Sequence, residues 1–256
     1  MAADGLFTYR DGIAVAQVVL FSIPLLFAIY FKFTHRIGWF CIGVFTLLRL
    51  TGASCKLATI HNDSHGLWAG IFVCESLGMI LIIFLLLELL ERANKMIPLV
   101  SRRIFLIPSL LTWIDIAVSI AGWVAVMHVA HPLDPTPESR ASMALLVVIY
   151  LYSVGVFVVF WRRRADYAAE ERAAITAVAA CVPLLAVRIA YSLVFISTAD
   201  MTFNAIKGDS TAYLVMTMLP EVAIVGVCTF VIFARVSPLV ENGNGEEERE
   251  TRKIGG

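Results

Sequence analysis

The sequence predicts an all-α fold: a polytopic bundle of seven transmembrane helices, with the N-terminus outside or lumenal and the C-terminus cytosolic. Three observations lead there. Of 256 residues, 59% are hydrophobic and 16% charged, and the mean hydropathy is +0.83; a soluble domain carries about a quarter charged residues. The apolar residues gather in blocks near the roughly 20 residues that cross a hydrocarbon core. Lysine and arginine fall almost entirely in alternate connections between those blocks.

In chain order the expected spans are 12–31, 38–60, 68–90, 104–127, 142–161, 173–197 and 212–233. Charge or turn chemistry bounds each one: "KFTHR" follows the first, "HNDSHG" the second and "ERANKMIPLVSRR" the third. "HVAHPLDPTPESR" follows the fourth, "RRRADYAAEER" the fifth and "STADMTFNAIKGDS" the sixth. Pro24, Pro108, Pro183 and Pro220 lie within spans. Neighbouring helices satisfy the backbone groups that a proline frees in a membrane, so these positions mark kinks rather than ends. The connections after spans one, three and five, together with the C-terminal tail, hold 14 Lys and Arg residues. The opposite side holds 3, namely Arg10, Arg140 and Lys207. That asymmetry orients the bundle.

The organisation expected is a short segment over 1–11, a helical domain over 12–233 and a polar, disordered cytosolic tail over 234–256. The opening "MAADGLFTYRD" lacks a cleavage pattern, so the first span is expected to serve as its own targeting signal. The five cysteines all fall within spans and read as small core residues without a disulfide framework. No connection is long enough to be a soluble domain, which places any function inside the bundle or on short loops.

Six ionisable side chains lie well inside the spans: Arg49 and Lys56 in the second, Glu75 in the third, Asp115 in the fourth, Arg188 in the sixth and Glu221 in the seventh. Each charge at bilayer depth costs a few kcal/mol, so such residues face the interior and pair. A rise of about 1.5 Å per residue puts Arg49, Asp115 and Glu221 near the midplane, Arg188 slightly outward and Glu75 and Lys56 in the outer third. Asp115 and Glu221 are the expected partners of Arg49; Glu221 and Glu75 are those of Arg188. Such a cluster either fixes helix register or lines a polar cavity. Glu221 follows Pro220, whose bend opens space beside the carboxylate. Tyr191 shares a helix face with Arg188 and joins the expected cavity.

Trp39, Trp68 and Trp161 sit at span ends and fit an interfacial belt. Trp113 is expected to face lipid or core. His61 and His65 flank Asp63 in "HNDSH", which reads as a solvated loop rather than a zinc site. No nucleotide loop, phosphate motif or catalytic triad is present. The third span ends Glu91-Arg92-Ala93 without the acidic-Arg-aromatic triplet of rhodopsin-like receptors, and the seventh lacks both an Asn-Pro-x-x-Tyr pattern and a retinal lysine. No cofactor and no nucleic acid are expected. The expected partners are the lipid bilayer and a lipophilic small molecule, and no protein partner is assigned.

The stretches "RIGW" (36–39), "LLRLTGAS" (47–54), "ESLGM" (75–79), "LLER" (89–92), "AVRIAYS" (186–192) and "LPE" (219–221) together resemble a fungal family of seven-helix membrane proteins, that of domain of unknown function 7702. The resemblance spans roughly 12–235 and implies a fungal membrane location; a multi-pass protein of the endoplasmic reticulum or plasma membrane is expected. Arg49, Glu75, Arg188, Tyr191 and Glu221 fall in these stretches; Asp115 does not. The run from Arg188 to "LPE" is also similar to fungal lipid-translocating exporter-like proteins, and the layout resembles membrane terpenoid cyclases that protonate substrates with intramembrane acids. Three functions follow as expectations. One is a cofactor-free cyclase or isomerase of secondary metabolism, with Glu221 or Glu75 as general acid and Arg49 and Arg188 setting their charge. The others are a lipid or metabolite exporter and a non-catalytic receptor-like protein.

Overall fold

The structure, a computed structural model, describes residues 7–62, 64–126, 137–198, 200–204 and 208–236; within these it omits the side chains of 65, 69, 102, 119–126 and 201. The seven expected helices are all present: α1 (Tyr9–Phe33), α2 (Trp39–Ala58), α3 (His65–Met96), α4 (Arg102–Val126), α5 (Pro137–Arg162), α6 (Ala169–Thr198) and α7 (Ser210–Ala234). Among the described residues, six are long and apolar enough to cross a membrane: α1, α2, α3, α5, α6 and α7. The protein is a multi-pass helical membrane protein. The expected tail, apart from its first three residues, lies outside the described residues, as does Asp63 of the "HNDSH" turn; His61 is exposed at the end of α2.

Local chemistry explains the helix ends. Thr8 caps α1, with Asp11 accepting from the Thr8 backbone N–H at 2.8 Å and its hydroxyl at 2.6 Å, as in a capping box. Helix α5 begins several residues before the apolar block, at Pro137, because a proline costs no hydrogen bond at a first helical position. Asp209 caps α7, accepting from the N–H groups of Thr211 and Ala212. All four expected intrahelical prolines lie within helices.

Packing places α3 at the centre. With 32 residues it is the longest helix, and it touches α2, α4, α5, α6 and α7, while α1 packs on α2 and α7. Ile82, Ile83, Leu85, Leu89 and Leu90 of α3 are each at most 2% exposed. Large apolar side chains such as Leu26, Leu106, Leu110, Trp113 and Phe230 face outward, as lipid contact requires. Cations lie over the indoles at the span ends: Lys32 over Trp39, Lys56 over Trp68 and Arg164 over Trp161. Each pair joins an amphipathic ring to a charge, the combination favoured where apolar core meets headgroups.

The turn between α1 and α2 locks the far end of α7. Arg36 Nη1 donates to the carbonyls of Ile232, Phe233 and Val236 at 2.7–2.9 Å; the first two are helix-end acceptors that have no intrahelical donor. Gly38 adopts φ 77°, and a Cβ there would stand 2.7 Å from Ile232 Cδ1, so the turn requires glycine for conformation and for space. Its N–H donates to Glu88 Oε1 at 2.9 Å. The "RIGW" stretch is thus a helix-locking turn.

Candidate functional site

Four of the quoted stretches converge on one constellation. Arg49 from α2, Glu75 from α3, Arg188 from α6 and Glu221 from α7 form a closed quartet of alternating charge. Arg49 Nη1 reaches Glu75 Oε2 at 2.8 Å, and Arg49 Nη2 pairs with Glu221 Oε1. Arg188 Nη2 reaches the same Glu75 oxygen at 2.9 Å, and its Nε the same Glu221 oxygen at 2.8 Å. Each guanidinium bridges both carboxylates, and each carboxylate binds both guanidiniums through one oxygen. The formal charge sums to zero. Such charge-assisted, forked contacts are the geometry that repays the desolvation of buried ions.

Neighbours extend the arrangement, though Arg49 Nε and Glu221 Oε2 have no hydrogen-bond partner among the described residues. Arg188 Nη1 donates to Ser192 Oγ one turn along, at 2.7 Å. Tyr213 donates its hydroxyl to the second Glu75 oxygen at 2.5 Å and accepts from Gln17 Nε2 at 2.9 Å. The Arg49 guanidinium lies over the Phe45 ring. Gly78, one turn from Glu75, leaves room for it: a Cβ at 78 would stand 2.9 Å from Arg49 Nη2. Arg49, Arg188 and Glu221 are at most 3% exposed, whereas the Glu75 side chain keeps 13%.

That residual exposure opens into a cleft. A cavity of about 30 Å³ lies where α1 begins, α2 ends and α3 begins, lined by Arg10, Gln17, Arg49, Lys56, Glu75 and Tyr213 with Ile13, Ala14, Gly52, Ala53 and Ile71 as its remaining wall. Arg10 donates to the Gly208 carbonyl at 2.6 Å and lies over the Tyr213 ring. Glu221 does not line this cleft; it is buried beneath it.

The structure bears out some expected partners and corrects others. Arg188 pairs with Glu221 and Glu75, and Arg49 with Glu221. Asp115, expected on Arg49, instead accepts from Ser142 Oγ at 2.6 Å between α4 and α5 and does not line the cleft. Equal depth does not make two residues neighbours, and α4 packs chiefly on α5 and α3. Lys56 stands at the cleft wall over Trp68 rather than in the ion-pair cluster. Tyr191 is buried against Phe203, with its hydroxyl unpartnered among the described residues, and does not line the cleft.

Tyr213, Gln17 and Gly78 were not singled out from sequence. Tyr213 was hidden by geometry: eight residues from Glu221, it should sit about 80° away around an ideal helix. Residues Leu214–Met218 form a π-helical turn, with the Leu219 N–H bonding to the Leu214 carbonyl. One extra residue in that turn cuts the offset to about 20° and brings both side chains to one face. The adjoining Pro220, which has no N–H to close the next turn, was the available signal.

The model of the family described as Domain of unknown function (DUF7702) matches residues 7–235. No curated protein and no solved structure matches the chain.

Proposed function

The chain belongs to the DUF7702 family, whose description names no activity, and we propose from the site that it is a receptor-like binding protein for a small amphipathic molecule. In this reading the molecule's polar head enters the cleft from the outer or lumenal side, the quartet forms the floor and the apolar part stays among helices and lipid. The carrying observation is the juxtaposition of a polar cleft with a charge-balanced floor through Glu75, Arg49 and Tyr213.

Binding is favoured over the cyclase and isomerase readings by two features. A general acid must reach its substrate, yet Glu221 is fully buried with an oxygen engaged by two guanidiniums. Glu75 meets the cleft, but both its oxygens accept from strong donors. The cavity of about 30 Å³ is also far below the ~300 Å³ or more that encloses a whole drug-sized molecule, so it suits a head group rather than a folded polyene.

The test is to purify the protein from its native membrane and identify retained small molecules by mass spectrometry, beside an Ala14→Leu variant that fills the cleft. A stoichiometric compound held by wild type and lost from an equally thermostable variant supports the reading. No retained compound, or equal retention by the filled variant, overturns it.

A further inference from the structure

We infer that the end of the bundle where α4 begins and α5 ends holds the head group of an anionic phospholipid, gripped by Arg103, Arg162 and Arg164 beside Trp161. This surface is separate from the cleft and does not depend on how the cleft is read. Helices α4 and α5 pack side by side, with the Phe105 and Phe160 rings 6.4 Å apart and Tyr152 donating to the Ile104 carbonyl at 2.9 Å. That contact sets Arg103, two residues before Phe105, at the same end as Arg162, two residues after Phe160. All three arginines are exposed.

The acids of this end are committed to other cations. Glu91 pairs with Lys95 at 3.8 Å, Asp166 with Arg163 at 3.9 Å and Glu170 with Arg92 at 3.7 Å, while Glu171 is buried at 3% exposure. Arg103, Arg162 and Arg164 form no ion pair among the described residues. The surface is therefore positive.

Its cations are also held in place. Tyr167, 2% exposed, donates its hydroxyl to the Ile97 carbonyl at 3.3 Å, and Arg172 Nη2 donates to the Tyr167 carbonyl at 3.1 Å. Those bonds staple the connection after α5 to the ends of α3 and α6. Arg164 lies over the Trp161 ring at 4.0 Å, a contact that orients a cation without neutralising it. An indole settles at the level of lipid head groups, so it fixes the guanidiniums at the depth of phosphodiesters rather than in bulk water. Guanidiniums take phosphate oxygens through forked, charge-assisted hydrogen bonds. A zwitterionic head group brings its own cation, which the arginines repel, so the surface selects one of net negative charge.

The experiment titrates the delipidated full chain in neutral detergent with phosphatidylserine and with phosphatidylcholine of the same acyl chains, and reads bound lipid by native mass spectrometry. The first phosphatidylserine is expected to bind about tenfold or more tighter than phosphatidylcholine. Arg103→Gln, Arg162→Gln and Arg164→Gln should each weaken it about fivefold, while Arg162→Lys keeps most of the affinity, which separates charge from folding. Arg140→Gln, exposed at the opposite end of α5, should leave it unchanged. Equal affinity for the two lipids, undiminished binding by the triple glutamine variant, or an equal loss from Arg140→Gln overturns the assignment. Equal competition by glycerophosphoserine, the same head group without tails, also overturns it, since the surface would then take a soluble phosphate ester rather than a lipid.

Discussion

Glu221 meets two arginines through one oxygen in a wholly buried site, so the cost of altering it follows from what is left behind. Glu221→Leu leaves two guanidiniums sharing Glu75, and breaking such a buried contact costs about 3–5 kcal/mol, readable as loss of thermal stability in detergent. Tyr213→Phe removes one donor to Glu75 and the acceptor of Gln17. Hydrogen bonds to charged groups are worth about 1.5–3 kcal/mol, so chemical unfolding should show a loss in that range. Gly78→Ala crowds the Arg49 guanidinium and should cost about 1–3 kcal/mol. Gly155→Ala and Gly226→Ala, where an added Cβ meets nothing within 4 Å, should be neutral or stabilising by up to about 1 kcal/mol; equal losses at all three positions would contradict the steric account.

The π-helical turn of α7 is what lets one helix present Tyr213 and Glu221 together. Deleting the outward-facing Val215, 53% exposed, should return the turn to α geometry and leave the two residues seven positions apart, about 20° from one another on the same face. Tyr213→Phe should then keep most of its cost in the deletion background. Loss of that cost would show that one extra residue in the turn is not what aligns the tyrosine with Glu221. This turn also marks where sequence reasoning stopped. Helix spans were legible because apolar blocks of that length have no other stable setting, and Arg188, Glu75 and Glu221 were legible as partners because charges in lipid must pair. Asp115 misled because depth along a helix is one coordinate, and which helices touch is another. Tyr213 stayed hidden because the 3.6-residue period fails where the backbone widens.

At the scale of the molecule, the quartet ties α2 and α3 to α6 and α7 around the central helix, while Arg36 and the Gly38 turn hold the opposite end of α7. In the reading proposed above, an occupant of the cleft would touch α1, α2, α3 and α7 at once, and its binding would bear on helices that the quartet joins. If the quartet rather than any one residue is the structural unit, removing one acid and one base together should hurt less than removing either. Arg49→Met with Glu221→Leu leaves Arg188 facing Glu75, still 2.9 Å apart, as a matched pair. The most direct test is therefore the thermal stability of Arg49→Met, Glu221→Leu and the double variant in the same lipid nanodisc. The account predicts a double variant more stable than either single one, a strongly non-additive cycle. A double variant whose loss equals the sum of the two single losses would contradict it.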